Sequence, residues 1–271
     1  MIIRKSPEEI DKIADAGQIL ARCLTTLRGK ARPGVTTLDL DQAAEKFIRS
    51  QGATPAFKGY RGFPGSICAS PNSMVVHGIP GAFKLSRGDI LSIDVGVTYG
   101  GWVADAAITV PVGDVGPEVL DMIKVCEDSL WRGLAAAQLG GRLTDISSAV
   151  EQHIRPFGYG IVDNYGGHGI GTEMHQPPHI LNHGRPGRGI KLVAGLALAI
   201  EPMITMGSPD TMVLEDDWTV STVDGSLAAH TEHTVAITPR GPWVLTAHDG
   251  GAARLAALGI SCGQPATAAT A

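Results

Sequence analysis

No stretch of this 271-residue chain approaches the roughly 20 consecutive apolar residues that a bilayer-crossing helix needs. The opening residues, Met1-Ile2-Ile3-Arg4-Lys5-Ser6-Pro7, contain no apolar signal core. No membrane partner is therefore expected. A long basic run is also lacking and the net charge is −5, so a groove for nucleic acid is not indicated. Cysteine is scarce: Cys23, Cys68, Cys126 and Cys262 are scattered and form no CxxC pair. That argues against a thiolate zinc site and suits a reducing cytoplasm better than a disulfide scaffold. What the chain has instead is 44% apolar residues and 35 glycines, a turn-rich globular composition. Its length allows a large core in one domain or in two intimately packed halves.

Two aspartates dominate the segment Leu91 to Asp105. Leu91, Ile93, Val95 and Val97 alternate around Asp94, the mark of a strand buried on one face. Tyr99-Gly100-Gly101 is a turn signal. A hairpin centred there places Asp94 and Asp105 opposite each other, with Cβ atoms roughly 5 Å apart. Facing carboxylates repel unless a proton or cation lies between them. Two readings stand at this point: a metal site, or a slipped register that leaves both as solvated acids beside the turn.

Along the chain, Ser6-Pro7-Glu8-Glu9 opens a helix that continues with Ile10, Ile13, Gly17, Leu20, Leu24 and Leu27 inward. A second helix is expected from Thr37, stopping at Gly52. After the aspartate hairpin, a long helix from about Pro117 to Leu139 is expected to bury Leu120, Ile123, Leu130 and Leu134, followed by another from Thr144 to His153. Strand candidates then hold Glu201 (Leu192 to Ile204) and Glu232 (Thr231 to Thr238). The order suggests one domain over 1–250 built of two similar halves, about 6–112 and 117–239, with 251–271 as a mobile tail carrying at most a helical turn at Ala252 to Leu258.

Three further residues are candidate metal ligands. Glu201 interrupts an apolar run, where an unpaired acid is costly to bury; Pro202 equally allows the strand to end there with Glu201 in water. Glu232 alternates with apolar residues and by itself fits a solvated sheet face. His168 lies within Gly166-Gly167-His168-Gly169-Ile170-Gly171, which is either a close-approach loop or an ordinary turn.

Together these residues resemble a known family. Asp94, Asp105, Gly-His168-Gly-Ile-Gly with His175 beyond it, Glu201-Pro-Met and Thr-Glu232-His-Thr-Val resemble the type I methionine aminopeptidases, in order and spacing, over about Ser6 to Thr246. The resemblance implies an α+β "pita-bread" fold, two pseudo-symmetric halves around a curved antiparallel sheet. It implies two divalent metals, with Asp94 on one, His168 and Glu201 on the other, and Asp105 and Glu232 bridging. Carboxylates with an imidazole suit Mn, Fe, Co or Zn. The implied activity is removal of the initiator methionine from nascent proteins with a small second residue, by attack of a water activated between the metals. The partners implied are peptide N-termini and the ribosome, for a monomeric bacterial-type enzyme.

By the same resemblance, Glu201 accepts the proton of the attacking water, His175 bonds the carbonyl oxygen and His77 contacts the substrate near the scissile amide. Read without it, both histidines would be core or loop residues satisfied by backbone. A methionine pocket maps onto Tyr60, Phe63, Cys68, His77, Met174, His175 and Trp218, a lining that fits an unbranched thioether. Phe63 stands where tyrosine is usual in the family and Met174 where phenylalanine is usual; Val103-Ala104 replaces a common His-Gly. Asn72 matches a turn that holds a monovalent cation in some relatives, and fits equally a plain asparagine turn. The alternatives are a proline-specific aminopeptidase or prolidase, disfavoured by Gln176 after His175 and by the short stretch before Asp94, and a non-catalytic binding protein on the same scaffold, disfavoured because all five ligands are present.

Overall fold

A computed structural model of the chain describes residues 2–264. Helix α1 (Pro7–Lys30) starts where Ser6 accepts the Glu9 amide and Glu9 returns the bond to the Ser6 amide. Helix α2 (Thr37–Ser50) begins with the same reciprocal cap between Thr36 and Asp39. Strands β1 (Thr54–Pro55), β2 (Cys68–Pro71) and β3 (Met74–Val76) lead to the hairpin of β4 (Ile90–Tyr99) and β5 (Trp102–Pro111). Helices α3 (Pro117–Ala136) and α4 (Leu143–Ile154) follow. Then come β6 (Gly160–Ile161), β7 (Gly167–Gly169), β8 (Gln176–Ile180), β9 (Ala197–Ile200) and β10 (Met203–Thr205). The chain continues through β11 (Thr211–Val213), β12 (Val220–Thr222), β13 (Ala228–His230), β14 (His233–Thr238) and β15 (Gly241–Val244) to helix α5 (Ala252–Ala257).

Every strand pairing is antiparallel. One edge of β4 carries β2 and β1 in tandem and the other carries β5. A five-stranded sheet runs β15-β14-β9-β7-β8, and two three-stranded sheets run β13-β10-β6 and β11-β12-β3. The first helices pack on the β4–β5 hairpin, where Ile13, Leu20, Leu27, Leu40, Ile93 and Val95 are buried together. The later helices cover β9 and β14, with Leu130, Leu134, Ile146, Leu198 and Val235 in a second core.

Two of these strand pairs form one interrupted ribbon. Ile200 of β9 pairs with His233 of β14, and Met203 of β10 pairs with His230 of β13. Between them Glu201-Pro202 lies opposite Thr231-Glu232, bridged by a Thr231 amide bond to the Pro202 carbonyl at 3.2 Å. Pro202 offers no amide to a ladder, which ends the strand there. The ribbon changes sheets at this break, and both glutamates sit in it. Glu232 uses its own free backbone to join β5: its amide donates to Ala107 at 2.9 Å and its carbonyl accepts from Ala107 at 3.3 Å.

Helix α3 differs from the expected orientation. Its buried face is Val119, Met122, Cys126, Leu130 and Leu134, and Leu120 is exposed. Only the first two turns differ, with Val119 and Met122 buried ahead of Leu120 and Ile123, because they pack against α4, β10 and β13; Leu130 and Leu134 are buried as expected. Residues 251–264, expected as part of a mobile tail, are packed. Leu255 is fully buried, and the Gly263 amide donates to the Pro242 carbonyl at 2.8 Å. The rest of that expected tail lies outside the described residues.

Helix α1 meets the segment that follows β15 at Gly17, where an added Cβ would lie 2.4 Å from the Leu245 carbonyl oxygen. Gly17→Ala is expected to destabilise the protein by about 1–3 kcal/mol in denaturant unfolding, because the backbone contact must open. A gain in stability, the usual result on an open helix face, would show that the helix does not sit this close.

Candidate active site and metal centre

The hairpin register places the two aspartates as diagonal neighbours. Asp94 pairs with Ala107 and Asp105 with Gly96, because the two-residue turn is Gly100-Gly101 and Tyr99 pairs with Trp102. Both glycines have positive φ, +57° and +81°, as a tight hairpin turn requires. The offset from the expected face-to-face register is two residues, so both carboxylates still point to one face. Thr234 fixes Asp105 from across the sheet, accepting its amide at 3.1 Å and donating to its carbonyl at 2.8 Å.

His168 is delivered by β7, and its glycines are there for space. An added Cβ at Gly167 would lie 2.2 Å from the Ala199 carbonyl oxygen, and one at Gly169 would lie 2.4 Å from that of Pro177. The His168 ring places Nδ1 3.0 Å from the Gly169 carbonyl, which only accepts, so Nδ1 carries the proton. Nε2 is left with its lone pair toward Asp105 Oδ2 at 3.9 Å and Glu201 Oε1 at 3.7 Å.

Four carboxyl groups thus converge. Burial, before mutual repulsion, pushes Asp105, Glu201 and Glu232 well above the usual carboxylate range. Burial also raises Asp94, to about 7. The same burial holds His168 down to about 3. Asp94 Oδ1, Asp105 Oδ1 and Glu232 Oε1 are buried with no hydrogen-bond partner among the described residues. Divalent cations satisfy such a set, and the ligand atoms are close enough to share them. Those of Asp105, His168 and Glu232 lie within 4.8 Å of one another, as do those of Glu201, His230 and Glu232. The residues are placed to bind a dinuclear metal centre.

A cavity of about 310 Å³ opens above these groups. It is lined by the five expected ligands and by Tyr60, Phe63, Cys68, His77, His175 and Trp218, together with Phe57, Arg61 and Val76. Phe63 packs edge-on to Trp218 with centroids 5.1 Å apart, and Trp218 in turn to His77 at 6.2 Å. Cys68 pairs with Asp94 in the ladder; burial and the nearby carboxylates push its thiol well above its usual range. The Tyr60 hydroxyl is 2.9 Å from His175 Nδ1. Burial lowers the pKa of His77 to about 4 and also that of His175.

Met174 does not reach the cavity surface. It is buried with its methyl over Gly96, beside Phe57, so it backs the wall rather than forming it. At Asn72 the turn is explained by hydrogen bonds alone: its side chain donates to Asp89 and accepts the Ile90 amide, and its carbonyl accepts from Ala228. Val103 and Ala104 lie in the core, and the Val103 amide ties the hairpin to the Gly171 carbonyl at 2.8 Å. Sequence reasoning passed over Phe57, Arg61 and His230. His230 stands two residues before Glu232, a spacing that puts both on one side of a strand, but the ribbon break hides the pattern.

Residues 11–239 match metallopeptidase family M24. Fold and site together define a metallopeptidase of the pita-bread class, mixed α/β with antiparallel sheets. The methionine aminopeptidase of Clostridium perfringens is 50% identical over 246 residues, covering 91% of this chain and 99% of that protein. Methionine aminopeptidase 1 of Mycobacterium tuberculosis is 49% identical over 253 residues, covering 91% and 95%. The crystal structure of methionine aminopeptidase from Rickettsia prowazekii superposes with a TM-score of 0.90 at 39% identity, covering 91% of this chain and 100% of that one. The chain belongs to the type I methionine aminopeptidases. Prolidase from Pyrococcus furiosus, at 24% identity and a TM-score of 0.75, shares the fold; this chain covers 65% of it.

The buried carboxyls set a pH dependence for the metal-free protein. A group whose folded pKa is raised binds a proton that the unfolded chain has lost, so stability falls as pH rises through that window. The buried histidines, with lowered values, work the other way only below about pH 6.5. Between pH 6.5 and 8 the melting temperature of chelator-stripped protein is therefore expected to fall by on the order of 5 °C. Added Mn²⁺ should abolish the fall. A flat or rising profile in the stripped protein would mean that the four carboxyls are not buried together.

Proposed function

We propose that this protein removes the initiator methionine from nascent chains whose second residue is small. The observation that carries the reading is the cavity itself, with aromatic and aliphatic walls at one side and four converging carboxylates with His168 at its floor. An unbranched methionine side chain fits the Phe57, Phe63 and Trp218 wall, and the scissile amide then lies over the acids. Asp94, Asp105, His168, Glu201 and Glu232 would hold two divalent ions, which supply Lewis-acid activation of water and substrate. The protein's own groups do the rest. The free α-amine binds beside Asp94, which makes the enzyme an exopeptidase. Glu201 accepts a proton from the attacking water. Tyr60, donating its hydroxyl hydrogen to His175 Nδ1, fixes the tautomer that keeps a proton on Nε2 for the carbonyl oxygen as it gains charge. His77 contacts the substrate on the far side of the amide, held there by Tyr165 and Trp218.

We place the reaction in the cytoplasm, on chains at the ribosome, and carried out by a monomer. The initiator methionine exists only on newly made chains, the four cysteines are free, and one chain lines the whole cavity. Among the described residues no helix is long and apolar enough to cross a membrane.

Stripped protein reloaded with Mn²⁺, Fe²⁺ or Co²⁺ is expected to release methionine from Met-Ala-Ser and to leave Met-Leu-Ser and Ala-Pro-Ser intact. Asp105→Asn should lose about a hundredfold or more of that activity. Cleavage of Ala-Pro-Ser instead would assign a proline-specific exopeptidase, and no cleavage despite metal uptake would assign a binding protein. Tyr60→Phe is expected to lower kcat about tenfold with little change in KM. An unchanged kcat would remove Tyr60 from the tautomer argument.

A further inference from the structure

Glu201 sits between two imidazoles. Its Oε1 lies 3.7 Å from His168 Nε2, and its Oε2 lies 3.7 Å from His230 Nε2. Ligand atoms that share one transition ion, each at about 2.1 Å from it, stand about 3–4 Å apart. The two contacts are thus of one kind, yet only His168 belongs to the ligand set that the sequence pattern implies.

His230 is 1% exposed, and neither ring nitrogen has a hydrogen-bond partner among the described residues. By contrast, His168 Nδ1 is satisfied by the Gly169 carbonyl and His233 Nδ1 by the Thr246 hydroxyl. Its backbone is fixed from both sides. The amide donates to Thr109 Oγ1 at 2.9 Å, the carbonyl accepts from the same hydroxyl at 2.8 Å, and the residue pairs with Met203. The ring is therefore held toward Glu201 and Glu232, whose own Oε1 is unpartnered. A bare imidazole nitrogen facing two carboxylates in a buried site is a ligand set for a metal of the Mn, Fe, Co or Zn class.

We propose that His230 is a metal ligand through Nε2, forming with Glu201 and Glu232 a second imidazole-bearing set beside Asp105, His168 and Glu232. The inference rests on the metal-centre reading above and deepens it. The centre would then carry two imidazoles, which favours transition ions over Mg²⁺ or Ca²⁺.

The test uses the full-length protein loaded with Co²⁺. A ligating imidazole places its remaining ring N–H far outside the diamagnetic range of a proton spectrum, and the signal vanishes in D₂O. Wild type is expected to show two such signals, His230→Gln one, and His168→Gln the other one. Calorimetric titration with Co²⁺ should show at least about a tenfold weaker step in His230→Gln. One signal in wild type, or an unchanged count in His230→Gln, would overturn the inference while leaving the metal centre intact. Failure of wild type to bind Co²⁺ would overturn both. Should His230→Gln not fold, the wild-type count decides alone.

Discussion

Four carboxylates brought out of water within a few ångströms of each other are the constraint on which the rest of the molecule depends. Each costs desolvation and each repels the others, so no single one would be kept buried by packing alone. Three have an oxygen without a hydrogen-bond partner among the described residues. Cations between them, or protons taken up at raised pKa values, relieve that cost, so metal binding is linked to stability. The two cores on either side hold the acids in place against that repulsion.

The backbone solves the placement in three different ways. A regular hairpin offers Asp94 and Asp105 two residues out of register on a shared face. A ribbon broken at one level offers Glu201 and Glu232, and the freed backbone of Glu232 is taken up by β5. Glycines around His168 let three strands close to distances that a Cβ would forbid. The pocket above is built differently, from aromatic edges on loops, with Met174 behind Gly96 setting the depth of the wall from outside it. Rigid sheet therefore carries the charged groups and loops carry the apolar selectivity surface, as their different tolerances to displacement demand.

The aspartate turn shows how far a strand pattern reaches. Alternation around Asp94 gives the strand and its buried face, and parity alone keeps both carboxylates on one side. Whether they stand opposite or diagonal depends on which two residues make the turn. That follows from the positive φ of Gly100 and Gly101 together, and not from the position of Tyr99. Helix α3 makes the same point: Leu120 fits the period, but the neighbouring row led by Val119 and Met122 faces α4 and the sheet. His230 lies just ahead of the strand expected from Thr231 and in fact ends β13, so its side of Glu201 is set only when the ribbon folds.

By itself the sequence determined the local things: the helix caps at Ser6 and Thr36, the hairpin, the glycine frame of His168, and the identity of the acids, whose apolar neighbours make exposure costly. Those rest on interactions within a few residues, and a chain pattern records them. Only the tertiary structure decided which oxygen meets which nitrogen. That Glu201 has an imidazole on each side, that Met174 backs the cavity instead of lining it, and that the stretch after Gly250 packs against β15 come from segments far apart in sequence. Their contacts are fixed by the closure of the two cores around the site, and no spacing along the chain encodes that distance.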